Sequence, residues 1–396
     1  MSNIKQGYKQ TEFGEIPSDW EYCTFKDVLN TFSSGATPYR AISEYYKGDI
    51  RRISSGELDY NVIYDTIEHI SDLAVKNTNL KIHEPGTFLM AITGLEAEGT
   101  RGRCAFVGAP SATNQSCLAL NSTDKLRTDY LFWFYRQWGN YLAFKYCQGT
   151  KQQSYTAAIV KKLPICCPKD SNEQSAIATA LSDINALIAA LDKRIAKKQL
   201  IKQGAMQQLL TGKKRLSGFS GEWVEKKLGE LLDYEQPTDY IVKNTDYLTQ
   251  GIPVLTAGKS FILGYTTETN GIFENTPVII FDDFTTATKF VDFKFKVKSS
   301  AMKILKLREQ INNIKLIFEL MQLIIFPMID HQRYWISEYS KIIVKMPATI
   351  DEQTAIAQIL TDMDNEIAQL EKERDKYKEM KAGMMQVLLT GEVRLV

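Results

Sequence analysis

Apolar residues recur at alternating steps of four and three over two stretches of the chain: Ile177, Leu181, Ile184, Ile188, Leu191 and Ile195, then Ile356, Leu360, Met363, Ile367 and Leu370. This period predicts two long helices with a narrow seam of the coiled-coil kind, too narrow for burial in a globular core. Side-chain oxygens and acids open each helix, at Ser171-Asn172-Glu173-Gln174 and at Thr349-Ile350-Asp351-Glu352-Gln353, where they cap the first turn and meet the positive end of the dipole. Gly212 and Gly391 close the helices. A helix of about 40 residues is about 60 Å long, so a lengthwise pair would make a spacer of fixed length.

The two helices are copies. Pro168 to Leu216 lies on Pro347 to Leu395 without a gap, at a constant shift of 179 (352 − 173 = 179 for the Glu-Gln pairs). About half of the positions are identical, far more than shared helical composition gives. Among them are Glu173/Glu352, Gln174/Gln353 and the endings Leu209-Leu210-Thr211-Gly212 and Leu388-Leu389-Thr390-Gly391. The seam weakens at Lys198 and Lys202 and at Arg374, Tyr377 and Lys381, and apolar residues then return. A wider contact surface is expected there, with Lys202, Met206, Leu209, Lys381, Met385 and Leu388 as partner-binding residues.

The stretches between the helices alternate short β-rich runs with turn residues. Asp49 to Ser55, Gly86 to Thr93, Cys104 to Val107 and Ser116 to Leu120 precede an aromatic helix over Tyr130 to Tyr146 and a polar loop ending at Tyr155. The second stretch replays this order with little identity: Ile252 to Leu255 answers Asp49 to Ile53, Thr276 to Phe281 answers Gly86 to Ile92, and Lys298 to Ala301 answers Thr113 to Ser116. The helix Ile311 to Ile325 and the loop Asp330 to Trp335 complete it. The expected fold is α+β with a pseudo-twofold internal repeat. Its blocks are a first domain over 1–168, a long helix over 169–212, a second domain over 213–348 and a second long helix over 349–396.

Composition narrows the function. A net charge of +1 counts against a freestanding nucleic-acid-binding protein, unless positive charge is local or partners supply it. Six cysteines without a Cys-x-x-Cys spacing, beside three histidines, point to buried reduced thiols and away from zinc. The amino-terminal stretch lacks the apolar core of a signal peptide and no apolar run reaches the length of a membrane span, so the cytoplasm is the expected compartment. Thr256-Ala257-Gly258-Lys259-Ser260 ends like a phosphate-binding loop, but Pro253 stands where its first glycine belongs. Asp283 with Asp292-Phe293-Lys294 has the spacing of a magnesium-dependent nuclease, the alternative from the enzyme class. A coiled-coil scaffold that binds no DNA is the structural alternative.

Taken together, the sequence resembles the specificity subunit of a type I restriction-modification enzyme over essentially its whole length. The motifs are Tyr8-Lys9-Gln10-Thr11-Glu12 with Ile16-Pro17 and Asp19-Trp20, Ser54-Ser55-Gly56-Glu57-Leu58, Gln152-Gln153-Ser154-Tyr155-Thr156 and, most specific, the twice-used Glu-Gln-x-x-Ile helix ending Leu-Leu-Thr-Gly. Arg51-Arg52 departs from the bulkier residues usual before the turn motif. The resemblance implies two target recognition domains that read the halves of a bipartite double-stranded DNA target, separated by two antiparallel coiled-coil helices. It implies two modification (methyltransferase) subunits docked on those helices and restriction subunits for cleavage. No catalytic residue, metal or cofactor is expected in this chain; S-adenosylmethionine, ATP and Mg belong to the partner subunits.

DNA readers need cations for phosphates and amide, guanidinium or hydroxyl groups for base edges. In the first domain the candidates are Arg51, Arg52, Ser54, Arg101, Arg103, Asn114, Gln115, Lys151, Gln152, Gln153 and Tyr155. In the second they are Thr256, Lys259, Tyr265, Thr285, Thr286, Lys289, Lys298, Ser299, His331, Arg333 and Tyr334. Polar loop residues are often merely solvated; the case rests on the same loops being polar in both domains.

Overall fold

The computed structural model describes residues 4–96, 99–149, 153–257, 260–327 and 334–395. Helix and strand are mixed throughout. Four helices frame the chain: α1 (Thr128–Tyr146), α2 (Ser171–Leu209), α3 (Ile314–Gln322) and α4 (Ile350–Leu388). The two long ones, α2 and α4, have 39 residues each.

The chain forms two compact units whose boundaries fall inside the long helices. Unit 1 is Met1–Ala190 with Glu373–Val396, and unit 2 is Leu191–Lys372. This division cuts across the blocks drawn from the sequence, because each helix end packs into a globular core. Ile177, Ala178 and Leu181 join Met385, Leu388 and Leu389 in the core of unit 1, while Ile356, Ala357 and Leu360 join Leu209 and Leu210 in that of unit 2. The narrow seam expected for the whole helix is thus corrected at both starts: Glu173, Gln174 and Ala178, and their copies Glu352, Gln353 and Ala357, widen the buried stripe. Further along, Ile184, Ile188, Leu191, Ile195 and Leu370 are buried and Met363 and Ile367 half-buried. By composition α2 is also long and apolar enough to cross a membrane, contrary to the sequence expectation; its seam residues from Ile177 to Ile195 are buried against protein.

In unit 1 a five-stranded sheet runs in the order Ser33–Ser34, Cys117–Leu120, Phe88–Ala91, Cys104–Val107, Val62–Ile63, antiparallel except for its last pair. Helix α1 covers it, with Phe132 stacked on Phe106 at 5.0 Å and Tyr135 edge-on to Phe88 at 5.9 Å. A second sheet places Ile50–Ile53 between a parallel strand, Ser111–Thr113, and an antiparallel one, His69–Ile70. Unit 2 has a four-stranded antiparallel sheet in the order Leu232–Glu235, Met302–Leu307, Val278–Asp282, Thr288–Val291. There Ile252–Leu255 lies between Ile262–Thr266 and a parallel strand, Lys296–Val297. Each unit therefore sets a three-stranded sheet with one parallel pair beside a larger, mainly antiparallel sheet.

The repeated Glu-Gln motif is the joint between each long helix and its unit. The Gln174 amide donates to the Pro168 carbonyl at 2.8 Å and accepts from the Arg127 N–H at 2.9 Å; Gln353 does the same with Pro347 at 2.9 Å and Asn313 at 2.8 Å. Glu173 is held by Arg394 at 2.5 and 2.7 Å, and Glu352 by Arg215 at 2.7 Å on both arms. Within unit 1 the pairs 173–394 and 185–381 run in opposite senses along the two helices, and within unit 2 the pairs 198–366 and 202–364 do likewise. The cysteines are free and mostly buried, and burial pushes the Cys117 and Cys166 thiols up to about 12.

Candidate nucleic-acid interface

In unit 1 the polar segments converge through backbone hydrogen bonds. Asn114 N–H donates to the Ile53 carbonyl at 2.9 Å, Ile92 to Ser116 at 2.9 Å, Tyr155 to Ile92 at 2.8 Å and Leu95 to Gln153 at 3.0 Å. The Arg101 guanidinium ends the series on the Leu95 carbonyl at 2.9 Å. Ser54, Asn114, Gln115, Gln153 and Arg101 therefore share the end of the unit where strands Ile50–Ile53, Ser111–Thr113 and Phe88–Ala91 all finish. Unit 2 repeats this frame. Lys298 N–H donates to the Leu255 carbonyl at 2.8 Å, as Asn114 does to Ile53, and Tyr334 N–H donates to Asp283 at 3.0 Å, as Tyr155 does to Ile92.

The side chains on the shared frame differ. Gln115 and Lys298 are exposed and Asn114 and Ser299 half-buried, so the loop after the parallel strand offers amides in unit 1 and a cation with a hydroxyl in unit 2. Where unit 1 has the arginine-bearing segment 93–103, unit 2 has a hairpin tip. Asp282 accepts there from the N–H groups of Phe284 at 2.9 Å and Thr285 at 3.2 Å, and from the Thr285 hydroxyl at 2.6 Å. Thr286 sits at φ +56, and Lys289 beyond it is exposed. Thr256 and Tyr265 are half-buried near the Ile252–Leu255 strand. Arg103 is half-buried and spends its Nε on the Gly99 carbonyl at 2.8 Å; Arg51 faces Asp65 at 3.4 Å. Lys151, Gln152, Lys259, His331 and Arg333 lie outside the described residues.

Three candidates are corrected by burial. Arg52 is 3% exposed in the central strand of its sheet, donating to the Ala36 carbonyl at 3.2 Å and paired with Glu68, so it braces the loops from behind. Tyr155 and Tyr334 are 3% and 1% exposed and anchor the frame through their backbone. The nuclease reading loses its first carboxylate: Asp283 accepts from Trp335 N–H at 3.0 Å and pairs with the buried Lys303 at 3.3 Å. Among the described residues no group of three or more acids, histidines and cysteines could hold a metal. Thr37, bonded to Gln115 and to Arg52, escaped notice in the sequence. Gly35, where a Cβ would come 1.8 Å from the Thr113 carbonyl oxygen, was the signal that this segment lies tight on the reading end.

Four of the six expected partner-binding residues are also corrected. Met385 and Leu388 belong to the core of unit 1 and Leu209 to that of unit 2, with Met206 packed against it. Lys202 pairs with Asp364 at 2.5 Å, and Lys381 donates to Asn185 at 3.0 Å. Met385, Leu388, Leu209 and Met206 thus serve the chain's own packing, while both lysines stay partly exposed. Leu187, Leu200, Ile201 and Met380 stay exposed on the long helices, and the last two are one position in the two copies (380 − 201 = 179).

Two units that hold unlike loops on a common strand frame make an internally repeated chain. A family model described as the type I restriction modification DNA specificity domain matches residues 17–202. A type I restriction enzyme specificity subunit of Escherichia coli is 46% identical over 158 residues, an alignment covering 38% of this chain and 39% of that relative's length. A putative one from Methanocaldococcus jannaschii is 24% identical over 427 positions, covering 99% of this chain and 97% of the relative. The fold is shared with the solved S subunit of M. genitalium, at a TM-score of 0.66 and 14% identity over 98% of this chain and 97% of that one. These matches support a specificity subunit of a type I restriction-modification system.

Proposed function

We propose that this chain reads a bipartite double-stranded DNA target, one half with each unit, and carries two modification subunits, joined by restriction subunits, on its long helices. The observation that carries the reading is the duplicated frame: Asn114 and Lys298, and Tyr155 and Tyr334, hold the same backbone positions in the two units while the surrounding side chains differ. A duplicated frame with divergent tips suits two unlike half-sites. Amides such as Asn114 and Gln115 suit adenine in the major groove, whereas Lys298 and Arg101 suit guanine or phosphate. With a net charge of +1, binding by the chain alone should be weak and salt-sensitive, and partner subunits should supply the remaining phosphate contacts.

In this reading α2 and α4 form an antiparallel spacer between the recognition domains. Helices of 39 residues reach about 58 Å, enough to set half-sites at least one DNA turn of roughly 34 Å apart. Methyl transfer, ATP-driven cleavage and their S-adenosylmethionine, ATP and Mg belong to the partner subunits, in the cytoplasm. The test is a methylation map of DNA from cells carrying this chain with its modification subunit, against cells carrying that subunit alone. A split motif with one methyladenine on each strand, present only with this chain, is expected. An unchanged map from an assembled complex would refute the reading.

A further inference from the structure

Lys202 and Lys381 are the same residue of the two helix copies (381 − 202 = 179), yet their surroundings differ in charge. In unit 2 the Lys202 ammonium lies 2.5 Å from Asp364 and 3.6 Å from Glu319, which is 0% exposed and also 2.8 Å from Lys315. In unit 1 Asn185 replaces Asp364 (364 − 185 = 179). Trp133 replaces Glu319: α1 and α3 both start at a glutamine joint, after Arg127 and Asn313, and the two residues lie at equal distance along their helices (133 − 127 = 319 − 313). The helix copy has kept its lysine, and both carboxylates are missing.

What remains is a cation cluster. Lys381 donates to Asn185 at 3.0 Å and lies 6.0 Å from the Trp133 ring centre. Arg136 lies 5.3 Å from the same ring and 4.9 Å from that of Tyr60. Among the described residues no carboxylate forms an ion pair with either cation: Asp129 is taken by Arg127 at 2.7 Å, and Asp59 acts on Arg136 only at longer range. Burial, with Arg136 and Lys378 nearby, pushes the Lys381 amine down to about 8. Beside the cluster opens a cavity of about 260 Å³ whose walls include Tyr60, Phe106, Trp133, Ser182 and Asn185, and also Asp129, whose charge is met by Arg127.

We propose that this cavity is a socket for an aspartate or glutamate side chain of a modification subunit, which supplies to unit 1 the carboxylate that Glu319 supplies within unit 2. It rests on the reading that the long helices carry such subunits. The walls favour a protein occupant over a DNA phosphate: Tyr60, Phe106, Phe132 and Trp133 are among them, and Val62, also in the lining, is 44% exposed. An apolar patch enclosing one paired charge is the anatomy of a protein interface core.

The test uses the full chain with its cognate modification subunit, resolving the two binding steps by native mass spectrometry. Lys381→Met should weaken one step by about tenfold or more and leave the other within about twofold. Trp133→Glu, which restores the internal carboxylate, should do the same; if that variant does not fold, Lys381→Met decides alone. A carbodiimide should join Lys381 to an acidic residue of the modification subunit. Wild-type affinity of Lys381→Met at both steps would overturn the socket, as would normal assembly with lost DNA affinity, which would give the site to a phosphate. A wild-type chain that bound no modification subunit would refute the wider reading first.

Discussion

Removing the Arg215 guanidinium tests the joint between α4 and unit 2. Arg215 makes two bonds of 2.7 Å to Glu352, which is 3% exposed and has one further donor, the Trp223 indole at 3.4 Å. Arg215→Met keeps the apolar stem and leaves a buried carboxylate without its cation. Breaking a fully buried pair costs roughly 3–5 kcal/mol. Because the Arg215 side chain is 28% exposed, water reaches one side, and about 2–3 kcal/mol is expected. That raises the open population of the joint by roughly 30- to 140-fold. A chain of two units need not unfold in one step, so native-state hydrogen exchange is the assay. Amides in the paired strands Trp223–Lys227 and Ile343–Pro347 should exchange faster, while those of Glu21–Thr24 and Pro164–Cys167 in unit 1 should keep their protection. Arg394→Met should give the mirror result through Glu173 and Asp19. Adding Glu352→Gln to Arg215→Met should recover part of the loss, since a buried amide costs less than a buried charge. Protection in unit 2 within about threefold of wild type, or equal loosening of both units, would refute the assignment.

Other consequences can be measured separately. Asn114→Ala should relax the methylated motif in one half-site and Lys298→Ala weaken or relax the other, each by about 1–3 kcal/mol of discrimination; a variant that altered both halves together would contradict the division of labour. Lys381, pushed down to about 8 by burial and two neighbouring cations, binds fewer protons folded than unfolded. Unit 1 should therefore gain stability as pH rises from about 8 to about 10.4, and Lys381→Met should abolish that rise in exchange protection. Burial raises the Glu12 carboxyl, but Lys145 and the hydroxyls of Tyr22, Tyr146 and Tyr141 outweigh it and hold the group below its usual range. The stability it contributes is present at neutral pH and lost as pH falls through the folded value, so Glu12→Gln should flatten the acid limb of unit 1 melting. Asp283→Asn should destabilise unit 2 by unpairing the buried Lys303, and the wild-type chain should cleave no DNA with magnesium.

The helices were legible because a repeat at constant shift needs no structural context, and the seam positions are buried or half-buried as the period predicts. The equivalence of the two loop sets was legible from their order along the chain. The direction of individual side chains was not. Arg52 and Tyr155 look like DNA contacts in a polar loop setting, yet a strand flanked on both sides and a buried loop anchor turn them inward. The same blindness affected Met385 and Leu388: helix period gives the apolar stripe and cannot say whether a partner or the chain's own core covers it. The Glu-Gln pair was read as a helix cap, and its larger role as a joint depends on Arg215 and Arg394, which follow the ends of the opposite helices.

The buried cations explain how the frame survives while its sequence changes. In unit 1 Arg52 pairs across the parallel strands with Ala112; in unit 2 Val254 pairs with Lys296 at the same rung. The cation has changed strands. Arg52 answers Glu68 and the Ala36 carbonyl, and Lys296 answers Glu268 at 3.2 Å with the Asn270 and Gly271 carbonyls at 2.6 and 2.9 Å. Each rung thus ties its parallel pair to a neighbouring loop through a buried, satisfied charge, and either strand can supply it. Because that tie lies one residue behind the last paired residues, Ile53 and Leu255, it fixes where the reading loops begin and leaves their outer side chains free to differ. Little identity between the two domains is then the expected cost-free outcome of keeping a rung chemistry instead of a residue, and Arg51-Arg52, the departure from the family pattern, is where unit 1 built its version.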